Sequence, residues 1–169
     1  MLEASKSFAS KYRFVLAKAP GNEDAFYHSI SKQEEIETTR DTYGLLKNAR
    51  AALVTSGTAT LETALFGVPE IVCYKGSSIS YQIAKRLIKI KYISLVNLIM
   101  DREVVKELIQ DELTPQNLVS ELNKILYDEN KIEQIKKDYR ELKEVLTKGG
   151  NASQRAAKEI VDLVNSNAS

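Results

Sequence analysis

One stretch decides the fold of this chain: Thr55-Ser56-Gly57-Thr58-Ala59-Thr60-Leu61-Glu62, followed closely by Gly67-Val68-Pro69. It lies between two short apolar runs, at 51–54 and 71–74. This order predicts a strand, a turn of small residues, a helix, a tight turn and a second strand. In α/β proteins, a small polar turn that joins a parallel strand to a helix is a common place to hold phosphate and sugar groups.

Length and composition limit the kinds of protein this chain can be. It has 169 residues, of which 43% are hydrophobic and 28% charged, with a formal net charge of +1. We therefore predict one globular domain over 1–169, with a helical tail at 128–169. The net charge is too small to favour a nucleic-acid partner. No run of apolar residues is long enough for a transmembrane helix. With one cysteine, Cys73, and one histidine, His28, we expect no disulfide framework, no metal and no cofactor, in a cytosolic setting. We expect Cys73 to lie in the core and His28 at the surface.

The alternation of strand and helix signals predicts an α/β layer with a parallel sheet and a helical tail. Strands are predicted at 12–17, 51–55 and 70–74, with an extended run at 92–95. Helices are predicted at 22–29, 42–48, 58–66, 80–89, 103–110, 114–127, 130–147 and 152–165, and residues 31–41 are predicted to be mostly loop. Asn22 and Thr114 are predicted to cap the starts of their helices, with Pro115 in the first position of the second. For the helix at 58–66, Gly67 is predicted as the C-terminal cap and the buried face is predicted to consist of Leu61, Ala64, Leu65 and Val68. Since three strands are few for such a sheet, we expect a further strand to be missing or supplied by something else.

The turn itself has two interpretations. Ser56, Gly57 and Thr58 offer two hydroxyls, an unhindered backbone and free N–H groups that favour an anion. Alternatively, Ser56 or Thr58 merely caps the helix. Glu62 lies one turn beyond Thr58, where its carboxylate could accept hydrogen bonds from two sugar hydroxyls. A carboxylate so near a helix start is also stabilising by itself, by roughly 0.3–1 kcal/mol.

A basic segment and a later polar turn also have two interpretations each. Residues 71–100 contain no acid and five bases. The bases are Lys75, Lys85, Arg86, Lys89 and Lys91. A basic amphipathic helix there suits an anionic lipid or ligand, or is an ordinary solvated face. Further on, Asn97 could bond a base or hydroxyl and Arg102 a phosphate. Alternatively, this is capping chemistry, with Asp101 as the N-cap of a helix that includes Glu103.

Four segments together resemble one family, lipid-A-disaccharide synthase. They are Ser56-Gly57-Thr58-Ala59-Thr60-Leu61-Glu62, then Gly67-Val68-Pro69, then Tyr92-Ile93-Ser94-Leu95-Val96-Asn97-Leu98-Ile99, then Arg102-Glu103-Val104-Val105-Lys106-Glu107-Leu108. The resemblance runs from about Tyr12 to the end of the chain, and its specificity comes from the order and spacing of the segments.

The resemblance implies a GT-B fold, in which two Rossmann-like halves face each other across a cleft, and this chain is similar to the C-terminal half. The family transfers diacylglucosamine from UDP-2,3-diacylglucosamine to 2,3-diacylglucosamine 1-phosphate, without a metal, at the inner face of the cytoplasmic membrane. By resemblance, Ser56, Gly57 and Thr58 would hold the diphosphate and Glu62 the ribose hydroxyls. Asn97, Arg102 and Glu103 would belong to the same UDP site, and Lys85, Arg86 and Lys89 would contact anionic lipid.

The chain also departs from the family pattern. The N-terminal half with its catalytic acid is not found, nor is the first strand of the C-terminal half. No catalytic residue is therefore assigned, and we expect the chain to be inactive alone. We also expect it to pair with another chain through an uncovered sheet edge, as a dimer or by strand exchange. Two alternatives stay open: a related UDP-N-acetylglucosamine 2-epimerase, whose histidine-and-acid signature is not found here, and a non-catalytic UDP-binding module.

Overall fold

The computed structural model describes residues 1–19, 21, 24–31, 36–55, 57–76, 91–148, 150 and 152–167. Several predictions fall outside these residues and keep the status of predictions. They concern the helix at 80–89, the turn residue Ser56, the bases Lys85, Arg86 and Lys89, the cap at Asn22 and the side chain of His28.

The described part of the chain alternates strands with helices and ends in helices, as predicted. Its helices are α1 (Leu2–Ser5), α2 (Asp24–Ser31), α3 (Thr42–Asn48), α4 (Thr58–Leu65), α5 (Leu95–Met100), α6 (Pro115–Tyr127), α7 (Glu129–Thr147) and α8 (Ala152–Asn167). Its strands are β1 (Val15–Ala17), β2 (Glu37–Thr39), β3 (Ala52–Thr55), β4 (Glu70–Tyr74) and β5 (Lys106–Ile109). Single 3₁₀ turns lie at Lys6–Phe8 and Gln110–Glu112.

All strand pairs in the described residues are parallel, which confirms the predicted α/β class. One sheet pairs β1 with β2, and a second has the order β3-β4-β5. In the second sheet Thr55 lies opposite Cys73, and Tyr74 lies opposite Ile109. Because the three strands run in the same direction, the turn after β3 and the loop after β4 meet at one edge of the sheet. We call this the carboxyl edge.

Two predictions of secondary structure were wrong in the second half of the chain. Residues 103–110, predicted to be helical, contain β5 instead. The apolar residues Val104, Val105 and Leu108 lie almost fully buried, a pattern that a short strand buried on both faces shares with a helix. The run at 92–95, predicted to be extended, leads into α5, whose first turn is capped by the Ser94 hydroxyl accepting from the Asn97 N–H.

Two further corrections concern turns and loops. Asp101, predicted to open a helix, ends α5 in the left-handed conformation, with φ of 47°. Residues 31–41, predicted to be mostly loop, include the short strand β2. The backbone of β2 pairs with the first strand, where Leu16 lies opposite Thr38. That partner lies far away in sequence, so local composition gives little sign of the strand.

The core lies between the β3-β4-β5 sheet and the helices packed on it. The buried apolar residues include Ala64, Ile71, Val72, Val96, Leu118 and Leu142. The predicted buried face of α4 is only partly right, since Leu65 is 37% exposed while Thr60 and Thr63 are buried. Their hydroxyls are accommodated because they donate to backbone carbonyls of Gly57 and Ala59.

The predicted caps of two helices are confirmed. Gly67 follows α4 with φ of 77°, the left-handed conformation that glycine adopts at helix ends. Thr114 caps α6 by accepting from the Asn117 N–H, with Pro115 in the first turn. No helix in the described ranges is both long and apolar enough to cross a membrane.

Candidate functional site

The predicted phosphate turn lies at the carboxyl edge of the sheet, between β3 and α4. Gly57 is the N-cap residue of α4, with φ of 135° and no side-chain capping bond. This φ lies in the region that favours glycine, and a Cβ placed there would meet no atom within 4 Å. The turn is therefore open, and its backbone conformation requires a residue such as glycine.

Thr58 does not cap the helix, which removes one of the two alternatives for this residue. It is the first residue of α4 and is exposed, as are Gly57 and Ala59. The Thr60 N–H already donates to the Gly57 carbonyl. No hydrogen-bond partner of the Thr58 and Ala59 N–H groups is found among the described residues, and free N–H groups at a helix start attract an anion.

Glu62 lies one helical turn beyond Thr58, on the same helix and half-buried. No hydrogen bond or ion pair to its carboxylate is found among the described residues. A free carboxylate one turn from an open helix start can accept hydrogen bonds from hydroxyls of a ligand that also contacts the turn. The structure thus brings Gly57, Thr58 and Glu62 together on one strand–turn–helix unit.

Asn97 lies elsewhere and is fully buried in α5, where its amide is used by the protein itself. Its Nδ2 donates to Val105 O and to Glu107 Oε1, each at 2.9 Å. Its Oδ1 accepts from the Val104 and Val105 N–H groups, at 2.8 and 3.0 Å. An asparagine amide has two donors and one acceptor oxygen with two lone pairs, so its capacity is used. This side chain ties α5 to the start of β5.

The partner of Asn97, Glu107, is a residue that the sequence analysis did not assign a role. Its buried carboxylate accepts from the Ile93 N–H, the Ser94 N–H and the Ser94 hydroxyl, in addition to Asn97. Several donors to one carboxylate satisfy its buried charge. The signal in the sequence is that Glu107 is the one acid within 104–109, a segment whose apolar residues include Val104, Val105 and Leu108.

Arg102 and Glu103 lie just before β5, and therefore near the amino edge of the sheet, away from Gly57. The Arg102 guanidinium is 3.0 Å from Asp138 Oδ1 and 2.7 Å from Glu141 Oε2, both on α7. Burial by itself would lower the pKa of Arg102, but the two carboxylates raise it overall. Glu103 Oε2 lies 3.5 Å from Lys106 Nζ. The structure does not bring this pair to the turn, and their role at a nucleotide stays a prediction.

Other chemistry is limited in the described part of the chain. No group of three or more His, Cys, Asp or Glu side chains that could hold a metal ion is found among the described residues. Cys73 is buried in β4, as predicted for a core residue, and burial raises the pKa of its thiol to about 11. A thiol with such a pKa stays protonated and unreactive near neutral pH.

A parallel sheet with an open, glycine-containing turn at its carboxyl edge and flanking helices defines a Rossmann-like α/β domain, of the kind that forms one half of a GT-B glycosyltransferase. Comparison with known proteins identifies the family. The profile of the family described as lipid-A-disaccharide synthetase matches residues 3–162. This chain belongs to the lipid-A-disaccharide synthase family.

Individual relatives agree with this assignment. A lipid-A-disaccharide synthase from Acidobacterium capsulatum is 34% identical over 94% of this chain and 44% of its own length. One from Geobacter metallireducens is 32% identical over 97% of this chain and 44% of its own. One from a Sulfurihydrogenibium species is 40% identical over 72% of this chain and 31% of its own. The chain thus spans less than half the length of these curated relatives.

Proposed function

We propose that this chain is the nucleotide-binding part of a lipid-A-disaccharide synthase and holds the UDP group of UDP-2,3-diacylglucosamine. The observation that carries this proposal is the exposed turn at Gly57, where α4 begins without a side-chain cap among the described residues and where Glu62, half-buried one turn further on, has no described partner for its carboxylate. The diphosphate lies against the N–H groups of Thr58 and Ala59, and the Ser56 hydroxyl contributes from the same turn. Glu62 binds the ribose hydroxyls.

Both contacts follow from ordinary chemistry. A helix start carries about half a positive charge, and its free N–H groups point along the axis toward a bound phosphate. Glycine lets the phosphate approach the backbone closely because no Cβ projects into the turn. The carboxylate of Glu62 only accepts hydrogen bonds, so it matches two neighbouring ribose hydroxyls, which donate. Asn97 acts indirectly, because it holds α5, which packs against α4.

The test of this proposal is a matched pair of variants in a calorimetric UDP titration. Replacing Glu62 with alanine removes two charge-assisted hydrogen bonds, and we expect UDP affinity to fall at least about tenfold while the circular dichroism spectrum stays unchanged. The control is Glu144→Ala, an exposed acid on α7, which should bind UDP like the original chain. Equal affinity in Glu62→Ala would contradict the ribose contact.

We propose that the whole reaction needs more than this chain. The relatives are more than twice as long, and the transfer of diacylglucosamine to 2,3-diacylglucosamine 1-phosphate uses an acceptor site and a base in their remaining part. This chain alone should form no disaccharide from donor and acceptor, as checked by thin-layer chromatography with radiolabelled substrate. Detection of the disaccharide would contradict the proposal.

We also propose that the outer edge of β3 pairs with a strand of another chain. The Ala52 N–H donates inward, toward β4, at Pro69 O. Since successive peptide groups of a strand face opposite sides, the Leu53 N–H faces outward. No described strand pairs with this edge, and β3 lacks the charged residues that usually protect an edge.

The pairing has a specific test by light scattering. Leu53→Pro removes the outward N–H and leaves the β3–β4 hydrogen bonds in place, so association at high concentration should disappear. Thr38→Pro, on the outer edge of β2, is the control and should associate like the original chain. A monomeric original chain at high concentration would contradict the proposal.

Contact with the membrane belongs to the same proposed function. The bases Lys85, Arg86 and Lys89 are proposed to bind anionic lipid at the inner face of the cytoplasmic membrane. We expect the chain to sediment with vesicles that contain anionic phosphatidylglycerol and not with purely zwitterionic vesicles. Replacement of all three bases with glutamine should abolish sedimentation, and unchanged sedimentation would contradict this contact.

A further inference from the structure

The loop that follows β4 is held by a side chain from the end of β5. Gln110 Nε2 donates to Gly76 O and Gln110 Oε1 accepts from the Gly76 N–H, each at 3.3 Å. The regular ladder between these strands ends at Tyr74 and Ile109. The carboxamide of Gln110 therefore continues the ladder past its end, because it offers a donor and an acceptor as a backbone peptide does. We call this reciprocal pair the Gln110–Gly76 clamp.

Gln110, which supplies the clamp, has a backbone conformation that is unusual for a residue with a Cβ. Its φ is 52°, in the left-handed region that is disfavoured for residues with a Cβ. Residues held in such conformations persist where the surrounding structure fixes them, and they occur often near functional sites. Gly76 is also tightly placed, since a Cβ there would lie 2.8 Å from the Tyr74 hydroxyl. Two independent features thus fix the path of the chain just after β4.

The residue whose position the clamp controls is Lys75, which lies between Tyr74 and Gly76. The β3–β4 ladder ends with Thr55 opposite Cys73, so Gly57 and Lys75 each lie two residues beyond the last pair, at the same edge of the sheet. Lys75 is exposed. No acidic partner of its ammonium group is found among the described residues, so its charge is available to a ligand at the carboxyl edge.

We infer that Lys75 contacts the diphosphate of the bound nucleotide and that Gln110 is the positioning residue that aims it there. This inference rests on the proposed function, since it adds a cation to the same site. The N–H groups of the α4 start contact the diphosphate from one side, and the ammonium group of Lys75 contacts it from the neighbouring strand. A diphosphate gains more from this arrangement than a bare nucleoside, because only the diphosphate carries charge.

The test compares the affinities for UDP and for uridine, measured by calorimetry or by competition. Lys75→Met should weaken UDP binding about five- to tenfold and leave uridine binding unchanged. Gln110→Gly and Gln110→Asn both break the clamp, while glycine and asparagine tolerate the left-handed conformation, so the fold should survive. Each should weaken UDP binding by a similar factor, again without changing uridine binding. Lys137→Met, an exposed lysine on α7, is the control and should change neither.

The double variant Lys75→Met with Gln110→Gly separates positioning from a merely structural role. If Gln110 acts through Lys75, the double variant should bind UDP no more weakly than Lys75→Met alone. Additive losses, equal losses for UDP and uridine, or an unchanged UDP affinity in Lys75→Met would each overturn the inference. If the original chain binds neither UDP nor uridine, both the proposed function and this inference are contradicted. If Lys75→Met binds UDP as tightly as the original chain, only the inference is contradicted.

Discussion

Glu70, the first residue of β4, leads to a prediction about stability. It is fully buried, and neither of its carboxylate oxygens has a hydrogen-bond partner among the described residues. The nearby Tyr139 hydroxyl donates to Val68 O instead. Burial therefore raises the pKa of Glu70 from 4.5 to about 9. At neutral pH the folded chain holds this side chain in its protonated form.

The consequence is a loss of stability as pH rises. Between pH 4.5 and about 9, the unfolded chain has released the Glu70 proton and the folded chain keeps it. The folded state binds one more proton in this window, so the free energy of unfolding falls by about 1.4 kcal/mol per pH unit. At pH 7 the accumulated cost is about 3 kcal/mol, which is a large part of the stability of an ordinary domain.

The perturbation that tests this is Glu70→Met, which keeps the length of the side chain and removes the carboxyl group. Urea unfolding at pH 5, 6, 7 and 8 should show the variant more stable at pH 7 by about 3 kcal/mol, with a smaller dependence on pH. The control Glu144→Met removes an exposed acid and should change stability by less than about 0.5 kcal/mol. A destabilised variant, or an unchanged pH dependence, would refute the reasoning, because Glu70 would then be ionised and partnered in solution.

The remaining predictions concern polar contacts and are checked by the same urea unfolding. Asn97→Ala removes the hydrogen-bond partner of the Val104 and Val105 N–H groups and one donor to the Glu107 carboxylate, and should destabilise by about 3 kcal/mol. The control Leu98→Ala, at an exposed position, should have little effect. Similar losses of stability in the two variants would contradict the buried role of Asn97. Arg102→Met removes the ion-pair partner of the buried Asp138 carboxylate, to which, among the described residues, only the Gln134 amide then donates, and should destabilise by about 2 kcal/mol at pH 7; no loss would show that the ion pair does not form in solution. Thr114→Ala removes the cap of α6 and should cost about 1 kcal/mol; an unchanged midpoint would contradict the cap.

The sequence predicted the central unit of the fold because its signals are local. The apolar runs of β3 and β4, the helix start at Thr58 and the stop at Gly67 all depend on neighbouring residues, and they appear where expected. The cap and proline of α6 are equally local. For the same reason, the sequence could place Gly57, Thr58 and Glu62 on one turn and helix start, while their role in binding stays a prediction.

What the sequence did not predict depends on contacts that are distant along the chain. β2 is defined by its pairing with β1, and β5 by its burial beside β4. The four donors to Glu107 and the clamp between Gln110 and Gly76 join residues 10–34 positions apart. Asn97 was predicted as a ligand because an asparagine in a turn can bond a ligand or its own backbone. Only the folded structure shows that its amide is already used.

The open turn after β3 is proposed to seat the diphosphate of a uridine nucleotide. The most direct measurement is a UDP titration of the ¹⁵N-labelled chain followed by amide chemical shifts. We expect the largest and saturable shifts at Gly57, Thr58 and Ala59, with smaller ones at the end of β4. Saturable shifts confined to other parts of the chain, or no shifts at millimolar UDP, would contradict the claim.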